Sequence, residues 1–265
     1  MEQEQLRQFK MWFYNYISVF YGDDKSLNAN LKLKEEHSWR VCEEMKYLAK
    51  ELGLTENQKR IADAIALFHD IGRFEQFAKY RTYNDNKSVN HCLLGVEILR
   101  RDKVLVHMDK REKELIEKAI EYHGLIEVPS GLEEEQLLFL KLIRDADKLD
   151  IFYVVLGYYK QYRDEPEKFM LELDYPDKPG YSAEVIRQLL DGQRIDYSKL
   201  KTLTDAKLCQ LGWVYDINFP ATLKRIRQRR FLEKIFEFLP GTQEIGKVRK
   251  RILEYLDSRI KGGDG

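Results

Sequence analysis

The sequence predicts an all-α fold, on three observations. Apolar residues recur at spacings of three and four from end to end. No segment sustains the two-residue alternation that a half-buried strand needs. Helix-start signals stand ahead of the periodic runs, most clearly Thr55 with Gln58 three residues on. At 265 residues, 43% of them hydrophobic, the chain is long enough for one large domain. The expected organisation is a core with an N-terminal helix over residues 1–165 and a helical extension over 166–265, packed on it as one domain.

Residues 4–21 predict an aromatic-rich amphipathic helix, and a second runs from about Asn30 to Leu52, stopped by Gly53. Thr55 caps a third, which the pattern ends near Gly72. "AKYRTYNDNKSVN", residues 78–90, is expected to be a polar loop, with Ser88 capping a helix through Arg101. Residues 110–124 and 133–163 give two more helices, on either side of the loop "GLIEVPSG". After Arg163 a stretch rich in Pro, Asp and Gly ("LDYPDKPGYS") leads into shorter helices and a basic amphipathic segment from about Ala221. The final "GGDG" is expected to fray.

Lysine plus arginine equals aspartate plus glutamate at 45 each, so no global field favours nucleic acid or an anionic membrane. No apolar run approaches the ~20 residues of a bilayer span, and the N-terminus lacks the basic-then-apolar order of a signal peptide. A cytoplasmic location is the expectation. Cys42, Cys92 and Cys209 are isolated, with none of the paired spacings of zinc or redox sites, which predicts small buried hydrophobes. The run "TLKRIRQRRFLEKIF" sets its basic residues on one face and Ile226, Phe231, Leu232 and Phe236 on another, a solvated helix face. "LGWVYDINF" is expected to pack in the core.

Chemistry enters with polar residues on the apolar stripes. His37 shares a face with Leu33, Val41, Met45 and Leu48. Ile61 and Ile65 lie on the stripe that ends at His69, with Asp70 one step round. His91 falls in line with Leu94 and Ile98, and His123 with Ile116, Ala119 and Ile120. Asp147 shares a face with Leu140, Ile143, Ile151 and Val154, so a carboxylate stands in an apolar seam where an unpaired charge is costly. One such histidine would be an ordinary hydrogen-bonded core residue. Four of them with two carboxylates, on helices able to converge, make a donor set suited to a transition metal. Adjacent side chains on a helix diverge by about 100°, so His69 can face one ion while Asp70 reaches a second. His107, in a charged junction, is left out of the set.

The order His37, His69-Asp70, Asp147, with "HDIGRF" and "DADKLD" around the last three, resembles the HD-domain superfamily of metal-dependent phosphohydrolases over roughly residues 30–155. That resemblance implies a helical core in which His37, His69, Asp70 and Asp147 hold a divalent metal. Asp147 is preferred to Asp145 because it lies on the apolar stripe. His91 and His123 match the additional histidines of two-metal members, so two ions are expected, from iron, manganese, magnesium, cobalt, nickel or zinc. The chain departs from the cyclic-dinucleotide phosphodiesterases in having Arg73 where they have lysine and in lacking their Gly-Tyr-Pro motif. It also lacks a placeable Glu-Asp pair of the guanosine-polyphosphate hydrolases, which sets both substrates aside.

The expected chemistry is hydrolysis of a phosphate ester of a small, nucleotide-like molecule, with hydroxide on the ions attacking phosphorus. Asp70, Arg73 and Lys148 are the expected catalytic residues, the last two supplying positive charge to the transition state. The alternative for Arg73 and Lys148 is an ion pair with Asp70, Asp145 or Asp150 that only balances charge. Arg73, Arg81, Asn84 and Lys87 are the candidate substrate contacts. Expected partners are therefore a phosphorylated small molecule, with neither membrane nor nucleic acid. Two other readings stay open. The same ligand order resembles the di-iron oxygenases of the superfamily, such as myo-inositol oxygenase, which act on a polyol or phosphonate, and a degenerate domain would bind a ligand without turnover.

Overall fold

The structure is a computed structural model that describes residues 1–169 and 175–262. The first two residues of "LDYPDKPGYS" and the last three of "GGDG" lie outside the described residues. Every regular element among the described residues is helical, as the periodicity predicts. The chain divides into two compact units, Met1–Asp150 and Ile151–Gly265.

The first unit begins with α1 (Gln3–Ser18) and α2 (Lys25–Glu51). The second of these starts five residues before the expected Asn30, because the Asp24 carboxylate accepts from the Leu27 amide at 3.0 Å and caps it earlier. Thr55 and Gln58 form the expected reciprocal box at the start of α3 (Glu56–Phe68). That helix ends at Phe68, four residues short of Gly72, and Gly72 instead opens α4 (Gly72–Tyr80). Residues 78–80 are accordingly helical and not loop. The cap of α5 (His91–Arg101) is Asn90, whose Oδ1 accepts from Leu93 at 3.0 Å. Ser88 is turned the other way, donating to the Asn84 carbonyl at 2.9 Å. Asp109 caps α6 (Lys110–Tyr122), and α7 (Glu134–Asp164) follows. The boundary between the two units falls within α7.

Within this unit α2 packs on α3 and α4, α4 on α5, α5 on α6, and α3 on α6. The aromatic residues of α1 fix it to that core: Phe13 meets Trp39 of α2 and Phe74 of α4 edge-on at 5.6 and 5.8 Å, and Phe9 lies 5.4 Å from Phe68 of α3. Phe13, Phe68 and Phe74 are fully buried. Each removes enough apolar surface from water to contribute about 2 kcal/mol or more.

The second unit holds α8 (Ala183–Leu190), α9 (Leu203–Gly212), α10 (Pro220–Arg229), α11 (Phe231–Phe236) and α12 (Gln243–Gly262). The basic run is broken between α10 and α11 by Arg230 in the left-handed conformation, yet Ile226, Phe231, Leu232 and Phe236 are all buried as their spacing predicts. "LGWVYDINF" packs inward through Val214 and Ile217. No helix among the described residues is long and apolar enough to cross a membrane.

Candidate metal centre

His69 and His123 occupy the same kind of position. Each is the residue that ends a helix, α3 or α6, and each places its Nδ1 2.7 Å from a carbonyl three residues back, Ala66 and Ile120. The last carbonyls of a helix lack intrahelical donors, so the Nδ1–H of each ring donates there and its Nε2 points forward. His91 opens α5 and donates from Nδ1 to the Asp85 carboxylate at 2.7 Å. His37, in the middle of α2, donates from Nδ1 to Asp150 at 2.7 Å. In their neutral form all four rings are thereby the same tautomer, with the lone pair on Nε2.

Those four Nε2 atoms converge with Asp70 and Asp147. The His37 and His69 Nε2 atoms are 3.2 Å apart, and the Asp147 Oδ1 lies 3.2 Å from the first and 3.9 Å from the second. Asp70 Oδ2 completes that group at 3.5 and 3.8 Å. The other oxygen, Oδ1, faces the second group, 3.4 Å from His91 Nε2 and 3.9 Å from His123 Nε2, which are themselves 3.4 Å apart. Two donors each about 2.1 Å from one ion stand roughly 3.0–3.4 Å apart, so both groups have close to the spacing a bound divalent ion requires. Lone pairs facing lone pairs at this distance repel unless a cation or proton lies between them. The donor set therefore fits a metal, and Asp70 is placed to give one oxygen to each group.

The local electrostatics make the same demand. Burial opposes the charge on Asp70, yet Lys34 and His69 beside it hold its carboxyl well below the usual range. Burial likewise opposes the Asp147 charge and is outweighed by His37 and His69, which keep it ionised. Burial depresses His69 to about 4, leaving the imidazole neutral at physiological pH. His123 goes the other way: burial disfavours its charge, but Cys92 and Asp70 outweigh that and push it well up. The protein alone thus calls for positive charge at the centre.

Of the residues singled out in the sequence, His37, His69, Asp70, His91, His123 and Asp147 are brought together. Arg73 is not free to reach out: its Nη1 donates to the Tyr83 carbonyl at 2.6 Å and to Asp85 at 2.8 Å, and its Nε lies 3.5 Å from Asp70 Oδ1. That is the charge-balancing arrangement. Lys148 is half-buried next to Asp147. Arg81 ends α4 in the left-handed conformation and pairs with Asp24 at 2.8 Å. Asn84 spends its side chain on the Asn86 amide at 3.0 Å, and Lys87 is exposed.

Several residues that hold the site are not among the candidates the sequence singles out, Asp150 having entered only as an alternative ion-pair partner. Asp150 is clamped by Arg40, whose Nε is 2.6 Å from Oδ1, and Asp85 is held by Arg73 and by Gln76 at 2.8 Å. Lys34 places its ammonium 2.8 Å from Asp70 Oδ2 and 5.4 Å from the centre of the Tyr83 ring. The spacing of Lys34, His37 and Arg40 at three-residue steps could have revealed the first and last, and Asp150 lies three residues beyond Asp147. Cys42 and Cys209 are buried with thiols pushed up by burial, as packing cysteines should be. Cys92 is different: its sulfur touches both His91 and His123, and although burial raises its pKa, the two histidines draw it down to about 6. His107 is exposed, as expected.

Residues 35–151 match the family model of the HD domain, a span containing all six clustered residues together with Arg40, Asp85 and Asp150. No curated protein and no solved structure matches the chain. A metal-dependent hydrolase is the class that this family and the two donor groups support together.

Proposed function

We propose, starting from the match of residues 35–151 to the HD-domain model, that the protein hydrolyses a phosphate ester of a small, nucleotide-like molecule with two divalent ions. The observation that carries this reading is the pair of donor groups sharing Asp70: His37, His69 and Asp147 on one oxygen, His91 and His123 on the other. Bound there, divalent ions would supply Lewis-acid polarisation of phosphoryl oxygens and a water acidic enough to attack at neutral pH.

The chain's own residues do the rest. Asp150 and Asp85 orient His37 and His91, and the Ala66 and Ile120 carbonyls orient His69 and His123, so each ring presents a lone pair without rotating. The four histidines are nearly sealed from solvent, whereas the side chains of Asp147 and Lys34 keep 22% and 18% of their surface, so the centre opens on their side. A phosphate entering there meets the Lys34 ammonium, while Arg73 stays engaged with Asp85. Lys34 therefore takes over the anion-anchoring role that the sequence gave to Arg73, and Arg73 keeps the carboxylates in place.

The test is metal analysis of anaerobically purified protein followed by a phosphatase and phosphodiesterase panel with and without manganese. Wild type should hold two ions and hydrolyse members of the panel, and Asp70→Ala should lose metal and activity together. Iron with oxygen consumption and no phosphatase or phosphodiesterase activity would overturn the reading in favour of a di-iron oxygenase.

A further inference from the structure

We propose that Arg144 is a positioning residue for the half of the centre formed by His91, His123 and one oxygen of Asp70. The inference rests on the metal-centre reading above and adds to it a buried cation that acts through the main chain, by fixing the turn from which His123 is presented.

Arg144 lies in α7, three residues before Asp147, and is buried. Its guanidinium gathers the main-chain carbonyls of one short turn: Nη1 donates to His123 at 3.2 Å and to Leu125, and Nη2 donates to Ile126 at 3.4 Å. These carbonyls follow the end of α6, where intrahelical donors have run out and the negative end of the helix dipole lies. A planar fork of N–H donors holds several acceptors at once, which a lysine ammonium reproduces only in part. The clamp fixes the main chain of His123 at its carbonyl, while the Nδ1 bond to the Ile120 carbonyl at 2.7 Å fixes its ring. With both held, Nε2 has one direction in which to point.

The same turn reaches His91. Gly124 packs so closely on α5 that a Cβ there would stand 2.9 Å from Cys92 Sγ and 3.4 Å from the His91 ring. The Cys92 sulfur lies beside the His123 ring, 3.6 Å from Nδ1 and 4.0 Å from Nε2, and belongs to that packing. Moving the turn therefore moves His123 directly and loosens the seat of His91. The other half is built differently: His37 and Asp147 stand within the bodies of α2 and α7, and His69 is held by the Ala66 carbonyl of α3. Loss of the clamp should separate the two ions, weakening the one on His91 and His123 and sparing the one on His37 and His69.

Zinc titration of the metal-free full chain by chelator competition tests this. Wild type should bind two ions. Arg144→Met should keep one tightly held ion and bind the other about 10–100-fold more weakly, the size of effect that follows loss of an orienting partner, and Arg144→Lys should recover part of the loss. Combined with Asp150→Ala, which removes the acceptor that orients His37 on the other side, Arg144→Met should leave neither ion tightly held. Phe13→Leu is the control for destabilisation alone: it should lower the melting temperature without changing the ratio of the two affinities. An unchanged ratio in a folded Arg144→Met protein, or a double variant that still holds one ion tightly, would overturn the assignment while leaving the dinuclear centre standing. Should the Arg144 variants not fold, Gly124→Ala displaces the same turn at its contact with α5 and must weaken one ion only; an unchanged ratio there would overturn the assignment equally. Wild type that takes up no zinc would sink the centre and this assignment together.

Discussion

Gly72 is the residue through which the fold most directly sets the geometry of the centre, and Gly72→Ala should disturb both. A Cβ at this position would stand 2.2 Å from the His91 carbonyl oxygen, 2.9 Å from the Gly95 nitrogen and 3.1 Å from the His91 carbonyl carbon. All three are backbone atoms of α5, so no rotamer change relieves the contact. Restoring an ordinary separation of 3.4 Å to the oxygen requires α5 to retreat by about 1.2 Å from α4. Forcing a group into a packed contact costs typically 1–3 kcal/mol, and this clash belongs at the upper end. At about 2–4 °C per kcal/mol for a chain of this size, the melting temperature should fall by roughly 6–12 °C. The same shift carries His91 away from Asp70 and His123, so the second ion should be lost before the first. Calorimetry and metal analysis after dialysis measure both effects. Gly95→Ala is the control, because its Cβ would meet the side chains of Ile71 and Ile120 at 3.3 and 3.5 Å, which can shift, and the Gly72 nitrogen at 3.6 Å, an ordinary van der Waals contact. A Gly72→Ala protein with an unchanged melting temperature and two bound ions would refute the reasoning.

Asp150→Ala should leave the His37 ring without its orienting acceptor and weaken metal binding on that side by about 10–100-fold, measured by chelator competition; unchanged affinity would show that the carboxylate has no part in it. Saturating metal should raise the melting temperature, since ion at 100 times its dissociation constant adds about 2.7 kcal/mol, and excess chelator should reverse the gain. Cys209, with its thiol pushed up to about 12, and Cys42 should resist alkylation at pH 8 until denaturant is added, which mass spectrometry of iodoacetamide-treated protein would show. Lys34→Met should leave two ions bound but raise KM for a phosphorylated substrate by about tenfold, because one charge-assisted contact to the anion is lost; an unchanged KM would return the anchoring role to another group.

Five of the six converging residues were legible because they sit on apolar stripes, a property of local periodicity, and Asp70 because it adjoins His69 in the HD pair. What the sequence could not show is what each ring turns its back to. The partner of His91 is Asp85, from a short turn with no periodic pattern, and the partners of His69 and His123 are carbonyls freed by helix ends that periodicity places only to within a few residues. The misplaced end of α3 illustrates this. The periodic pattern ends near Gly72, yet this glycine opens α4 and its missing side chain serves the approach of α5. Likewise Arg73 carries the right charge one turn from Asp70, but only the folded loop shows that Tyr83 and Asp85 have claimed it.

Charge balance separates the phosphate reading from a neutral substrate, and it yields a test that needs no turnover. Among the charges named here, the carboxylates Asp70, Asp85, Asp147 and Asp150 outnumber the cations Lys34, Arg40 and Arg73 by one. Without metal such a site repels a phosphate dianion. Two divalent ions add four positive charges and reverse that balance, which matches an anionic ester and gives no comparable advantage to an uncharged polyol. Millimolar inorganic phosphate should therefore raise the melting temperature of the metal-loaded protein by several degrees while leaving the chelated protein unchanged, with sulfate at equal ionic strength as the control for screening. Lys34→Met should shrink the phosphate effect without abolishing it. Equal stabilisation of loaded and chelated protein would place the anion elsewhere on the surface, and no stabilisation of the loaded protein would remove the electrostatic case for a phosphate substrate.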